Sequence, residues 1–386
     1  MVKKTICVFI GSRANYSSIK SVLTAVNEHP ELELKIILGG SALVKKYGNL
    51  EKILNRDGFQ VDERIQMLVE GDVPSVMVKT TALGMLGLAD AFERLRPDYV
   101  IVIGDRYEVM APTIAAAYMN IPVAHTMGGE VTGTIDESIR HAITKFAHIH
   151  FPANKDSGER IVKMGEERER VFVVGCPRID TVKRIIDANP DVPEDIFEQC
   201  GGVGPIFDLK NPFLLISQHP VTTEYTDAEH QINETIYAAM ETKLPIILLW
   251  PNSDAGTEGI SQGIRKFREK NPDAVLHAFT NLPIDIYVRL MNNTACLIGN
   301  SSSGIREGAF LGTPCVNVGT RQAGRERGSN VIDAGYSRND IFSAVQKQVA
   351  HGKYVSEPIY GDGTAGKKIA DILYHTEVKV QKRITY

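Results

Sequence analysis

Short apolar runs rich in β-branched residues alternate with stretches whose apolar positions recur every three or four residues. The first kind fits strands and the second fits amphipathic helices. In the first half the pattern predicts strands at 5–10, 34–38, 99–103, 122–125 and 171–174, and helices at 17–28, 76–95 and 137–147. In the second half it predicts strands at 213–217, 245–250, 274–277, 295–298 and 315–318, and helices at 228–241, 259–269, 284–291 and 305–311. Strand and helix alternating in this way is the signature of parallel sheets with crossover helices. The alternation breaks over 178–211, where Pro190, Pro193, Pro205 and the run Gly201-Gly202-Val203-Gly204 interrupt it. The expected fold class is therefore α/β, with two Rossmann-like doubly wound domains facing across a cleft. The expected division is 1–177, an inter-domain region at 178–211, a second domain at 212–364, and a last helix within 365–386. In such sheets ligands sit outside the carboxyl ends of the strands.

Composition changes this picture only by exclusion. A chain of 386 residues suits two domains of about 100–200 residues each. The net charge of −4 speaks against a nucleic-acid partner, whose binders carry a basic footprint. The apolar run after Met1-Val2-Lys3-Lys4 is too short for a signal peptide, and no run approaches the ~18 apolar residues of a membrane span. These features predict a cytoplasmic protein with no membrane partner. Cys7, Cys176, Cys200, Cys296 and Cys315 are odd in number and scattered, so they predict neither a zinc site nor a disulfide framework.

Candidate chemistry is sought at the strand ends. Gly11-Ser12-Arg13-Ala14 follows the first strand and suits a strand-to-helix turn near a phosphate, or a plain turn with a surface arginine. Asp105 and Arg106 end a fully apolar strand, where Asp105 is either a reacting acid or a helix N-cap. Met127-Gly128-Gly129-Glu130 follows the next strand, and paired glycines let backbone approach a ligand closely. If a helix starts near Asp136, Asp136 and Arg140 share one face at i, i+4, and taken locally they read first as an ordinary N-cap with a surface ion pair. His141, His148 and His150 match no standard metal-ligand spacing and are read as structural.

In the second half His219 ends a strand, where an imidazole can donate to a diphosphate or move a proton near neutral pH. Asn252 lies in a polar segment after the next strand. Ser301, Ser302 and Ser303 lead from an apolar strand into a helix, whose free N–H groups and dipole favour phosphate. Glu307 in the first turns of that helix could accept from a ribose diol, and Arg321 supplies a cation after the last predicted strand.

Six segments in this order resemble the hydrolysing UDP-N-acetylglucosamine 2-epimerases of sialic-acid synthesis. They are 104–106 (GDR), 128–145 (GGEVTGTIDESIRHAITK), 218–223 (QHPVTT), 251–256 (PNSDAG), 299–307 (GNSSSGIRE) and 312–325 (GTPCVNVGTRQAGR). The resemblance implies a glycosyltransferase-B-like fold whose last helix packs back on the first domain. It implies a nucleotide-sugar substrate, a homo-oligomer (dimer or tetramer), and no cofactor or metal. It assigns UDP to Arg13, Ala14, Arg106, His219, Asn252, Ser301, Ser302, Glu307 and Arg321. It assigns the reacting sugar to Asp105, Asp136, Glu130, Arg140 and His219, with Asp105 and Asp136 as the acid/base pair. Many family members carry a carboxylate ahead of the double glycine, where this chain has Met127. That departure either moves a third acid's role to Glu130 or signals a modified sugar, such as a 2,4-diacetamido-trideoxy hexose.

The implied chemistry is elimination of UDP across C1–C2, then hydration of the glycal. A glycosyltransferase of the same two-domain type would use the same phosphate site but need an acceptor. A non-catalytic nucleotide-sugar sensor would need no carboxylates at strand and helix ends.

Overall fold

A computed structural model describes residues 3–44, 49–70, 74–131, 135–221, 224–251, 257–280 and 282–386. The chain divides into two compact units, Met1–Thr181 with Gly361–Tyr386, and Val182–Tyr360. Each is a Rossmann-like α/β domain built on one six-stranded sheet with flanking helices.

The first sheet comprises β1 (Lys4–Ile10), β2 (Leu32–Leu38), β3 (Glu63–Arg64), β4 (Tyr99–Ile103), β5 (Val123–Thr126) and β6 (Ile149–Phe151). Its order is β3-β2-β1-β4-β5-β6 and every pair is parallel. Helices cover both faces, which is why β4 reads as an unbroken apolar run buried at all five positions. The strand order reverses between β1 and β4, so the turns at Gly11 and Gly104 flank the switch point. The C-terminal helix, Ala365–His375, belongs to this unit and lies against the helix Arg13–Glu28. Asp180 accepts from the first N–H groups of that C-terminal helix, Ala365 N at 3.0 Å and Gly366 N at 2.6 Å. At its other end Lys4 Nζ donates to Tyr374 O at 2.6 Å.

The second sheet comprises β7 (Leu214–Ser217), β8 (Ile246–Leu249), β9 (Leu276–Phe279), β10 (Cys296–Gly299), β11 (Cys315–Val318) and β12 (Val331–Ala334). Its order is β12-β11-β10-β7-β8-β9, again all parallel, with the switch between β7 and β10. The segments bearing His219 and Asn300-Ser301 leave these two neighbouring strands.

Several elements differ from expectation. The 178–211 stretch holds the helices Pro177–Ala188 and Ile196–Cys200, and from Val182 onward it belongs to the second unit. Val182, Ile185, Ile196 and Phe197 are packed in one core with Phe213 and Phe279. Its glycine run is held on the edge strand, where Val203 N donates to Ala278 O at 2.9 Å and the His277 ring meets the Gly201 carbonyl at 3.0 Å. The strand predicted at 171–174 shrinks to a single bridge from Val171 to His150, and Val173 is exposed. β6 and β12 are too short, or too polar on the open face, to stand out by pattern. Among the described residues no helix is long and apolar enough to cross a membrane.

Candidate active site

In the first unit three segments meet at the carboxyl ends of β4 and β5. Gly104, with φ near +69°, turns the chain out of β4 and delivers Asp105. Arg140 comes from the helix Ile135–Phe146 and is almost wholly buried. Its Nη2 forms a close ion pair with Asp105 Oδ2, and its Nη1 donates to Glu130 O at 2.8 Å and faces Glu137 Oε2 at 3.6 Å. One guanidinium therefore fastens the β4 turn, the double-glycine segment and its own helix. Arg140 is thus an interior tie and not a surface ion pair. Asp136 lies one turn earlier on the same helix, half-buried.

The double-glycine segment is tightly constrained. A Cβ on Gly128 would stand 2.8 Å from His125 Nδ1 and 3.2 Å from Thr144 Oγ1. Glu130, which follows, is buried. Met127 is a non-glycine residue in the left-handed region, φ +59°, with its Sδ 3.8 Å from Cys176 Sγ. Such backbone is sparsely populated and clusters at functional sites. Nearby, Arg106 Nε donates to the buried Glu108 at 2.7 Å. Arg13 and Ala14 are exposed in the first turn of the helix Arg13–Glu28, which Ser12 caps by accepting from Asn15 N at 3.2 Å.

In the second unit the amide of Asn300 grips the backbone of His219. Asn300 Oδ1 accepts from His219 N at 2.7 Å, and Asn300 Nδ2 donates to His219 O at 2.8 Å. The Asn300 carbonyl in turn accepts from Arg321 Nη1 at 3.2 Å and Gln322 Nε2 at 2.9 Å. One buried asparagine thereby sets the relative positions of His219, the serine-led helix and the Arg321 loop. Ser301 caps the helix Ser302–Leu311, and Ser303 Oγ lies 2.8 Å from Ser301 Oγ and 2.5 Å from Tyr287 Oη. Glu307 is buried one turn inside this helix, and Arg306 Nη2 donates to Ser302 Oγ at 3.0 Å. Burial, reinforced by the Arg321 charge, pushes His219 down to about 4. At neutral pH it is a neutral ring with one N–H to donate, not a group titrating near neutrality.

Each unit therefore carries one cluster that its fold assembles. The first gathers Asp105, Glu130 and Arg140, with Asp136 on the Arg140 helix; the second gathers His219, Ser301, Ser302, Glu307 and Arg321. Asn252 lies outside the described residues, as do 132–134 and 222–223 of the motifs above. His141 pairs with Glu137 at 3.0 Å, while His148 and His150 bond Val380 O and Glu166. Among the described residues no group of His, Cys, Asp or Glu could hold a metal ion. Pattern reading passed over Asn300, Gln322, Tyr287 and His125. The only signal for Asn300 is its place between an apolar strand and a serine run.

Known proteins with this pattern identify the lineage. The family described as UDP-N-acetylglucosamine 2-epimerase matches residues 24–374. The chain belongs to the UDP-N-acetylglucosamine 2-epimerase family. Within it the chain is 35% identical over 373 residues to a Legionella pneumophila protein named UDP-N,N'-diacetylbacillosamine 2-epimerase (hydrolyzing), covering 97% of this chain and 96% of that one. It is 32% identical to a Neisseria meningitidis UDP-N-acetylglucosamine 2-epimerase, covering 99% and 98%. A crystal structure of a Neisseria meningitidis UDP-GlcNAc 2-epimerase bound to UDP-GlcNAc superposes with a TM-score of 0.79 at 18% identity, over 96% of this chain and 99% of that one. The fold and the 2-epimerase family expected from the motifs are thus both found.

Proposed function

We propose that the protein is a hydrolysing UDP-N-acetylglucosamine 2-epimerase that converts UDP-GlcNAc and water to N-acetylmannosamine and UDP, in a cytoplasmic pathway to sialic-acid-type sugars. The observation that carries this reading is the buried Arg140 joining Asp105 to the Gly128-Gly129-Glu130 segment. In this reading Asp105 and Asp136 are the acid/base pair at C2. One carboxylate takes the C2 proton, the C1–O bond breaks, and UDP leaves with the bonding electrons. A C1=C2 double bond results. Water then adds its oxygen to C1, and a proton returns to C2 from the opposite face. Leaving-group charge is met by Arg13, Arg106, Arg321, the neutral N–H of His219 and the serine-led helix N-terminus, with Ala14, Asn252 and Glu307 completing the nucleotide contacts.

Met127 favours a second reading within the same chemistry. By the family resemblance a carboxylate is expected where this chain has the Met127 thioether, and the Legionella relative is named for a diacetamido sugar. An apolar group there suits a 2,4-diacetamido-trideoxy hexose, which has fewer hydroxyls to satisfy.

Incubation with each UDP-sugar and no acceptor, followed by proton NMR, tests both. Free N-acetylmannosamine and UDP are expected, with deuterium at C2 in deuterated water and water-derived oxygen on C1. A UDP-linked epimer without free sugar would replace hydrolysis with simple epimerisation. Retention of the C2 proton would sink the elimination step and leave plain hydrolysis to N-acetylglucosamine. A kcat/KM higher for the diacetamido sugar would select the second reading.

A further inference from the structure

His125 ends the interior of β5 and is fully buried. Its ring stands among the three segments that carry the first unit's cluster. Nε2 lies 2.8 Å from Gly104 O, the carbonyl just before Asp105. A carbonyl can only accept, so Nε2 carries the ring hydrogen and Nδ1 is left as an acceptor. Nδ1 lies 3.3 Å from Thr144 Oγ1, whose one hydrogen goes either to Nδ1 or to Arg140 O at 3.0 Å, so the ring packs against this hydroxyl on the Arg140 helix. The same Nδ1 is the nearest atom to where a Cβ on Gly128 would stand. The imidazole therefore contacts the Asp105 turn directly, the Arg140 helix through Thr144, and the double-glycine segment by packing.

We propose that His125 is a positioning residue for proton abstraction at C2, holding Asp105, Arg140 and the Gly128-Gly129-Glu130 segment in one fixed arrangement. The inference rests on the reading that Asp105 acts on the sugar. Proton transfer by His125 itself does not fit its surroundings. Burial, with His150 opposite it across the β5–β6 pairing and His141 nearby, pushes it down to about 3, so it stays neutral through the working range. Its ring hydrogen is committed to Gly104 O, and Nδ1 is enclosed by Thr144 and Gly128. What it supplies is geometry, and small displacements of a reacting group are costly.

The test uses the full-length protein with UDP-GlcNAc and, separately, UDP alone. His125→Asn cannot reach Gly104 O from the Nε2 position. It should lower kcat by about 100-fold and leave the Kd for UDP within about twofold, because, of the proposed UDP contacts, only Arg106 lies on this turn. His125→Gln places an amide N–H near the Nε2 position and should restore most of the loss. The ionisation limbs of the kcat profile should coincide in wild type and the Gln variant. Wild-type kcat in the Asn variant overturns the proposal. A missing limb in the Gln variant also overturns it, by making His125 a proton carrier. If the Asn variant does not fold, Thr144→Val carries the test. Lower kcat with unchanged UDP affinity is expected there, and unchanged kcat overturns the link. Asp105→Asn separates the two levels. Wild-type turnover in that variant removes the underlying reading, whereas a slow Asp105→Asn beside a fast His125→Asn removes only the positioning role.

Discussion

Arg140 and Asp105 set the residue-scale logic. A buried guanidinium bound to a partly exposed carboxylate leaves a costly unpaired charge when either partner is truncated. Arg140→Met should therefore lower stability by about 3 kcal/mol as well as turnover, seen as an earlier denaturant midpoint. Asp105→Asn keeps the shape and one acceptor oxygen for Arg140, whose charge still faces Glu137 at 3.6 Å, so its larger effect should be on rate. Asp105→Asn and Asp136→Asn should each lower kcat roughly 100-fold while UDP still binds, measured by steady-state kinetics beside calorimetry. If either variant loses UDP affinity in proportion, that carboxylate belongs to the nucleotide site. Gly128→Ala presses a methyl against His125 and Thr144, two side chains with little room to move. It should slow turnover more than it weakens UDP binding.

At the scale of elements, the serine-led helix Ser302–Leu311 is the phosphate candidate. Its first N–H groups have no intrahelical acceptor, and Ser301, Ser302 and Ser303 add hydroxyls at the positive end of the dipole. UDP should raise the melting temperature with a chelator present, since the cations proposed for the phosphates are Arg13, Arg106 and Arg321. Asn300→Ala should remove most of that shift. Its amide holds His219 while its carbonyl receives Arg321 and Gln322, and truncation releases His219. A full UDP shift in the Asn300 variant would mean that the loops hold their places without the amide.

For the whole molecule, buried histidines dictate the acid response. His125 is pushed down to about 3 and His219 to about 4, and burial also lowers His148 and His150. In the unfolded chain each protonates near 6.5, while the folded chain resists. The unfolded state therefore binds more protons as pH falls below 6.5, and stability that is complete above that pH is progressively lost. Glu166 acts in a lower window. The ring of His150, Lys145 and Lys382 outweighs its burial and holds it at about 2, so its contribution is lost only below about 4.5. Differential scanning calorimetry should show the melting temperature dropping on the order of 10 °C between pH 7 and pH 5. A flat profile over that interval would mean that these rings are solvated in solution.

By itself the sequence determined the alternation of strand and helix, because a parallel strand covered on both faces must be apolar throughout and a crossover helix must be apolar on one stripe. It also determined where to look, since side chains directly after such strands stand at a sheet's ligand-binding edge. Asp105, His219 and Ser301 were singled out for that reason, and the fold places each just beyond the carboxyl end of a strand. Elements that break the pattern were not: β12 carries Asp333 on its open face, and the glycine run at 201–204 reads as a linker although it is bonded along β9. Tertiary structure alone decided the partners. That Arg140 turns inward to Asp105, that His125 meets Gly104 and Thr144, and that Asn300 clasps His219 are contacts between residues 19 to 81 positions apart. No local pattern encodes them. They exist because the strand order of each sheet brings distant turns to one edge, where burial makes each polar group find a partner.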